Sequence, residues 1–271
     1  MNKQSMSKQP KKKEPKITPK RTTLKEKIWY IIKPFIIYML VKTFVMYFLA
    51  ILIPALPING IDEWVELHAR QLTAVINGIA AIIGCGFVID DFLKEAATEG
   101  EIDIDGGVIK QFVSFLKNGF FGYKEKNIKA LIVCTISGAG LALAFNYMIA
   151  ILTKVNTALE SEKYESVEAI QYSVPIWLGL ILYGVISPFV EEIVFRGVLY
   201  NRMRRFYKVG ISILVTALLF GGFHANLPQF LYGTIMGALM AYAYEKAGCF
   251  AAPVLVHMAA NICVFLMSAV G

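Results

Sequence analysis

The sequence predicts an all-α, polytopic membrane protein of about seven to eight transmembrane helices, and three observations lead there. Hydrophobic residues make up 56% of the 271-residue chain and charged residues only 17%. Several apolar runs reach the ~18 residues needed to cross a bilayer as a helix. Lys and Arg are spread unevenly over the segments between those runs, as expected of loops sorted between two sides of a membrane.

The elements follow in order. The first 33 residues carry eleven Lys and Arg against Glu14 and Glu26, a net of +9 that exceeds the +7 of the whole chain. Such a tail attracts anionic partners, nucleic acid among them. Its place directly before an apolar run makes it an orientation signal held in the cytoplasm, so no nucleic-acid partner is expected. Residues 1–28 are read as this basic, disordered tail. The run over 30–56 is too long for a signal-peptide core and has no small-residue cleavage site, which makes it the first span. Further spans are expected at 71–90, 128–153, 174–200, 209–225, 228–244 and 249–268.

Loop charges give these spans a direction. The 57–70 segment holds only Arg70, and 154–173 holds Lys154 and Lys163 among four glutamates, so both are expected outside. The 91–127 segment with five lysines, and Arg202, Arg204, Arg205 and Lys208 after the fourth span, are expected inside. The expected location is therefore the cell membrane, multi-pass, with a cytoplasmic N-terminus and the lipid bilayer as an obligatory partner. Apolar residues from Val108 to Phe120 recur at helical spacing with Lys110 and Lys117 among them, predicting a helix that lies in the cytoplasmic interface. Residues 29–170 thus form N-terminal membrane helices with an interfacial segment, and 171–271 a four-helix C-terminal core.

Cys85, Cys134, Cys249 and Cys263 are dispersed through the apolar segments, without the spacing of a zinc knuckle or disulfide framework, and read as packing residues. Gly233 and Gly237, with Ala238 and Ala241 nearby, let helices approach closely. Lys42 inside the first span is expected to snorkel or be paired, and His68 to lie on an ordinary outer surface. Oligomeric state is not legible from such features.

Ionisable groups inside spans are costly and point to function. Pro188-Phe-Val-Glu191-Glu192-Ile-Val-Phe-Arg196 places two carboxylates and a guanidinium in the fourth span. Glu192 and Arg196 are four apart and share a helix face, while Glu191 points ~100° away and is the freer carboxylate. Phe220-Gly-Gly-Phe-His224, with Asn226 and Gln229 following, and His257-Met-Ala-Ala-Asn261 supply two imidazoles and an amide. At ~1.5 Å per residue, Glu191, His257 and His224 fall roughly 15, 12 and 20 Å from the cytoplasmic face, deep enough to share one hydrated cavity. A carboxylate near imidazoles and an amide can activate water and stabilise the oxyanion formed on a peptide carbonyl. Individually, Glu192 with Arg196 reads as a buried structural pair, and a lone intramembrane His or Asn as a helix–helix hydrogen bond. A proton or ion path would also use intramembrane Glu and His, but matched Gly/Pro-broken helices in two halves are missing.

The ordered set Glu191-Glu192-x-x-x-Arg196, Phe220-x-x-x-His224 and His257-x-x-x-Asn261 resembles the CPBP family of type II CAAX prenyl proteases and bacteriocin-processing or immunity proteins, over roughly 174–268. The resemblance implies that 171–271 is a protease core. In it Glu191 and His224 activate the hydrolytic water, His257 and Asn261 form the oxyanion site, and Glu192 and Arg196 support them. It implies an intramembrane endopeptidase acting on a membrane-associated peptide or protein, prenylated CAAX-type or leader-like. The different reading it leaves open is a non-enzymatic scaffold or bacteriocin-immunity protein that binds a helix with the same polar cluster. Glu191, His224 and His257 also form a conceivable zinc set of a metalloendopeptidase. The helical His-Glu-x-x-His signature is missing, and no cofactor, with glutamate as base, is the expectation favoured here.

Overall fold

The computed structural model describes residues 23–98, 106–122, 127–155 and 162–270; most of the basic tail therefore lies outside the described residues. Within them there are eleven helices and no strands, the all-α membrane architecture expected. Five helices are long and apolar enough to cross a bilayer, and Val209–Gly222 is a shorter apolar one.

Helix α1, Leu24–Leu52, opens on a capping box: the Thr23 side chain accepts from the Glu26 amide, and the Glu26 carboxylate accepts from the Thr23 amide at 2.7 Å. This cap carries the polar Lys25-Glu26-Lys27 turn into the helix, so α1 begins before the expected residue 30. It buries Ile31, Pro34 and Tyr38 and turns Leu40, Phe44, Phe48 and Ile51 outward, as a lipid-facing helix does. A short exposed α2, Ile61–Leu67, leads to α3, Ala69–Gly86. His68, between them, stacks on Trp64 with ring centroids 4.7 Å apart.

Besides α2 in the 57–70 segment, two further segments read as loops contain helices that the spans did not include. After a turn at Phe87-Val88 the chain enters α4, Ile89–Thr98, whose first turn carries Asp90 and Asp91, well placed for the positive end of a helix dipole. The second span therefore stops at Gly86 rather than 90. Between α6, Ile128–Val155, and the fourth long helix lies α7, Glu162–Gln171. The expected helix in this segment is present as α5, Val108–Ser114, continued by a π-helical turn over Phe115–Gly119. Its Ile109, Val113 and Leu116 are exposed, while Phe115 is fully buried against Phe92 and Phe250, with centroids at 4.8 and 5.5 Å.

Helix α8, Ile176–Arg204, is the buried axis of the molecule. π-Helical turns over Leu180–Ile186 and Ile193–Tyr200 interrupt it on either side of Glu191 and Glu192. Helices α9, Val209–Phe223, α10, Leu227–Ala247, and α11, Ala251–Val270, complete the core. Glycines set the α9–α10 approach: a Cβ on Gly237 would lie 3.1 Å from the Ala217 Cα, and one on Gly221 would lie 2.5 Å from the Phe230 carbonyl. The close packing expected of Gly233 and Gly237 is thus realised between α9 and α10.

One end of α8 is tied down electrostatically. Buried Glu95 of α4 accepts from Arg202 Nε at 3.0 Å, from Arg205 at 2.5 Å and from the Tyr30 hydroxyl at 3.1 Å, while Arg202 also pairs with Asp91. Arg204 pairs with Glu245 of α10 at 2.6 Å. Arg202, Arg204 and Arg205, read from the sequence as the basic residues of this loop, therefore also lock α1, α4, α8 and α10 together. Cys85, Cys134 and Cys249 are buried free thiols, as expected; Cys263 is only half-buried.

Candidate active site

The site grows from α8. Glu191 and Glu192 are adjacent and face different neighbours. Glu192, fully buried, binds Arg196 one turn on, with Nη1 2.7 Å from Oε1. Arg196 is equally buried; its Nη2 donates to the Gly237 carbonyl at 2.8 Å and its guanidinium covers the Phe220 ring at 4.7 Å. The expected internal ion pair is present, and it also holds α8 to α9 and α10.

The same Glu192 Oε1 accepts from His257 Nδ1 of α11 at 2.8 Å. This fixes the ring, so that Nε2 faces Glu191 Oε2 at 3.8 Å. Glu191 Oε1 accepts from the Ser187 hydroxyl at 2.7 Å. The imidazole that approaches Glu191 is thus that of His257.

His224 ends α9. Its Nδ1 lies 3.0 Å from the Phe220 carbonyl, and a carbonyl only accepts, so Nδ1 carries a proton and, when the ring is neutral, Nε2 is bare. The Phe220 ring meets both imidazoles edge-on, with centroids 5.4 Å from His224 and 5.5 Å from His257. The Phe-x-x-x-His spacing therefore has two physical uses: the carbonyl at the first position orients the imidazole at the last, and the ring spaces the two histidines. The 15 residues of α9 rise only about 22 Å, less than a ~30 Å hydrocarbon core. Its last residues stop at depth. Ala225, in the left-handed region at φ 55°, reverses the chain there, and the Asn226 side chain caps α10 by accepting from the Gln229 amide at 2.9 Å. Backbone that leaves a helix inside a membrane is tolerated where protein groups satisfy it.

Asn261, one turn after His257, donates from Nδ2 to the Tyr183 carbonyl at 3.0 Å, within the first π-helical turn of α8. π-Helical turns recur at functional sites; here one carries the backbone oxygen that fixes the amide.

Glu191, His224, His257 and Asn261 all line one cavity of about 350 Å³. Glu192 and Arg196 do not line it and stand behind the His257 wall. The volume falls in the range of small-ligand sites and suits a few residues of extended peptide. Ser187, Asn77 of α3, Asn146 of α6 and Lys42 of α1 face the same space. Lys42 departs from its expectation: it has no ion-pair partner among the described residues, and its ammonium sits over the rings of Phe223 and Tyr38 at 4.9 and 6.0 Å. Lone polar residues inside apolar runs were the available signal for Asn77, Asn146 and Ser187. The cavity extends to Glu168 and Gln171 of α7, away from the Arg202 end of the bundle. As for a metal, no three His, Cys, Asp or Glu side chains among the described residues are grouped closely enough to hold one. Glu191, His224 and His257 share a wall without forming such a set.

Residues 173–263, spanning every one of these motif positions, match the family model described as type II CAAX prenyl endopeptidase Rce1-like. Over this segment the chain is similar to the Rce1-like family. Among curated proteins the chain is 25% identical over 201 residues to "Putative membrane peptidase YdiL" of Bacillus subtilis (strain 168), covering 74% of this chain and 73% of that protein. It is 30% identical over 126 residues to an "Uncharacterized 24.3 kDa protein" of Escherichia coli, covering 44% of this chain and 58% of that protein. No solved structure matches the chain. The comparisons support a multi-pass membrane peptidase at this coarse level. Lys42, Asn77 and Asn146 reach the cavity from outside the Rce1-like segment.

Proposed function

We propose that this protein is an intramembrane endopeptidase that hydrolyses a peptide bond in a membrane-associated substrate, without a metal. The observation that carries this reading is the convergence of Glu191, His224, His257 and Asn261 on one cavity. Glu191 takes a proton from water as the oxygen attacks the carbonyl carbon, and the bare Nε2 of His224 holds that water by accepting its second hydrogen. His257 donates to the developing oxyanion from Nε2. Because its Nδ1 proton is committed to Glu192, the ring donates from Nε2 only as the imidazolium, which the Glu192 carboxylate supports. The amide hydrogen of Asn261 not held by Tyr183 is the second donor. The proton gained by Glu191 then passes to the leaving amine. No step is routed through zinc, since the three side chains do not form a ligand set.

The substrate class follows from setting: an apolar-walled cavity inside a membrane bundle takes a peptide already at the bilayer, CAAX-type or leader-like. With the N-terminus in the cytoplasm, the α7 end of the cavity faces outward. The test is to map peptide termini in host membranes for wild type, a deletion, and deletions complemented with Glu191→Gln or His224→Ala at matched expression. Termini that vanish in the deletion and both variants are the expected result. Unchanged termini with a deletion phenotype that both variants rescue would give the site to a helix-binding scaffold or immunity role.

A further inference from the structure

Lys42 is a charged group that neither the Rce1-like segment nor the mechanism above uses. It lies 18 residues into the 29-residue α1 and ten from its nearer end, roughly 15 Å along the helix axis, too far for a lysine to reach an interface by extending. Charges at this depth are expensive and are kept where they face a polar partner or a functional cavity. Lys42 faces the cavity. Glu191 acts on it electrostatically across the same space, but its oxygens meet Ser187 and His257 rather than the ammonium. What Lys42 does have is a stack: Phe223, next in chain to His224, lies under its ammonium at 4.9 Å, with Tyr38 at 6.0 Å. Aromatic faces hold an ammonium in place without neutralising it, and this one stays in the wall of the cavity.

We propose that Lys42 binds a carboxylate of the peptide that enters this cavity, fixing how far the chain inserts past Glu191. The inference rests on the endopeptidase reading for the identity of the occupant. The surrounding Phe145, Ile149, Tyr232 and Met236 suit apolar side chains, and Lys42 is the one Lys or Arg among the residues lining the cavity. The carboxylate comes either from the chain terminus or from an acidic side chain near the scissile bond.

Binding is measured with the full-length protein in nanodiscs, using acetyl-Leu-Val-Phe-Leu as the free acid, the same peptide as its amide, and an amide with Glu in place of Val. The wild type is expected to bind the acid, the Glu-containing amide, or both at least about tenfold more tightly than the plain amide, the strength of a charge-assisted contact. The two arms identify the source. The preference is expected to vanish in Lys42→Met and to survive in Lys42→Arg. Equal binding of all three peptides by the wild type, absence of binding included, or a preference that persists in Lys42→Met, overturns the assignment. A Lys42-dependent preference in a protein that generates no termini in membranes would sink the peptidase reading and leave the carboxylate site. The converse pattern would sink only the site.

Discussion

Glu192 and His257 are joined by a 2.8 Å hydrogen bond between Oε1 and Nδ1. Through it the glutamate that does not touch the cavity aims an imidazole that does. The paired glutamates thus divide labour: Glu191 faces the cavity, and Glu192 holds Arg196 with one lone pair and His257 with another.

Removing the shared carboxylate has two separable effects. Glu192→Ala leaves the Arg196 guanidinium buried without its counter-charge and is expected to cost about 3–5 kcal/mol, read as a loss of thermal stability in detergent. His257→Gln leaves the Glu192–Arg196 pair intact. It is expected to stay within about 1 kcal/mol of wild type while the turnover of a mapped substrate falls at least about 100-fold.

Gly221 sets the position of His224 through the α9–α10 contact. A Cβ there would meet Thr234 Oγ1 at 2.2 Å and the Phe230 carbonyl at 2.5 Å. Gly221→Ala is expected to destabilise by about 1–3 kcal/mol and to lose cleavage. Adding Thr234→Ala should fail to restore either, because the Phe230 obstacle is backbone. Full recovery in the double variant would contradict this geometry.

The cavity reaches α7 and not the Arg202 end. In a Cys263→Ala background, Gln171→Cys and Lys208→Cys are expected to react with a membrane-impermeant maleimide from opposite faces, Gln171→Cys from outside. Labelling of both from the same face would contradict the fold, and a reversed pattern would contradict the N-terminal orientation alone.

Cleavage by the purified protein is expected to persist through exhaustive dialysis against a strong chelator. Loss of activity that zinc restores would move Glu191, His224 and His257 into a ligand set and remove the metal-free mechanism.

Much of this was legible in the sequence, for identifiable reasons. Helix period alone placed Glu192 with Arg196 and separated Glu191 from both, and that is how they sit. The apolar spacing after Val108 foretold a helix there, though not that Phe115 would turn inward onto Phe92 and Phe250. Tertiary contacts, by contrast, carry no local signal. Nothing in the first span marks Lys42 as facing Glu191's cavity rather than snorkelling. His257 could be aligned with Asn261, but its bond to Glu192 across 65 positions depends on how α11 packs on α8. The helices α2, α4 and α7 were missed because their polar composition resembles loops; acidic pairs at helix starts, Asp62 with Glu63 and Asp90 with Asp91, are the signal that could have found α2 and α4.

The most direct measurement follows hydrolysis of a mapped substrate by the purified protein in proteoliposomes made up in heavy-oxygen water. The account predicts one heavy oxygen in the new carboxylate with wild type, and no product above background with Glu191→Gln in a protein of unchanged thermal stability. Cleavage by Glu191→Gln at the wild-type rate would contradict it.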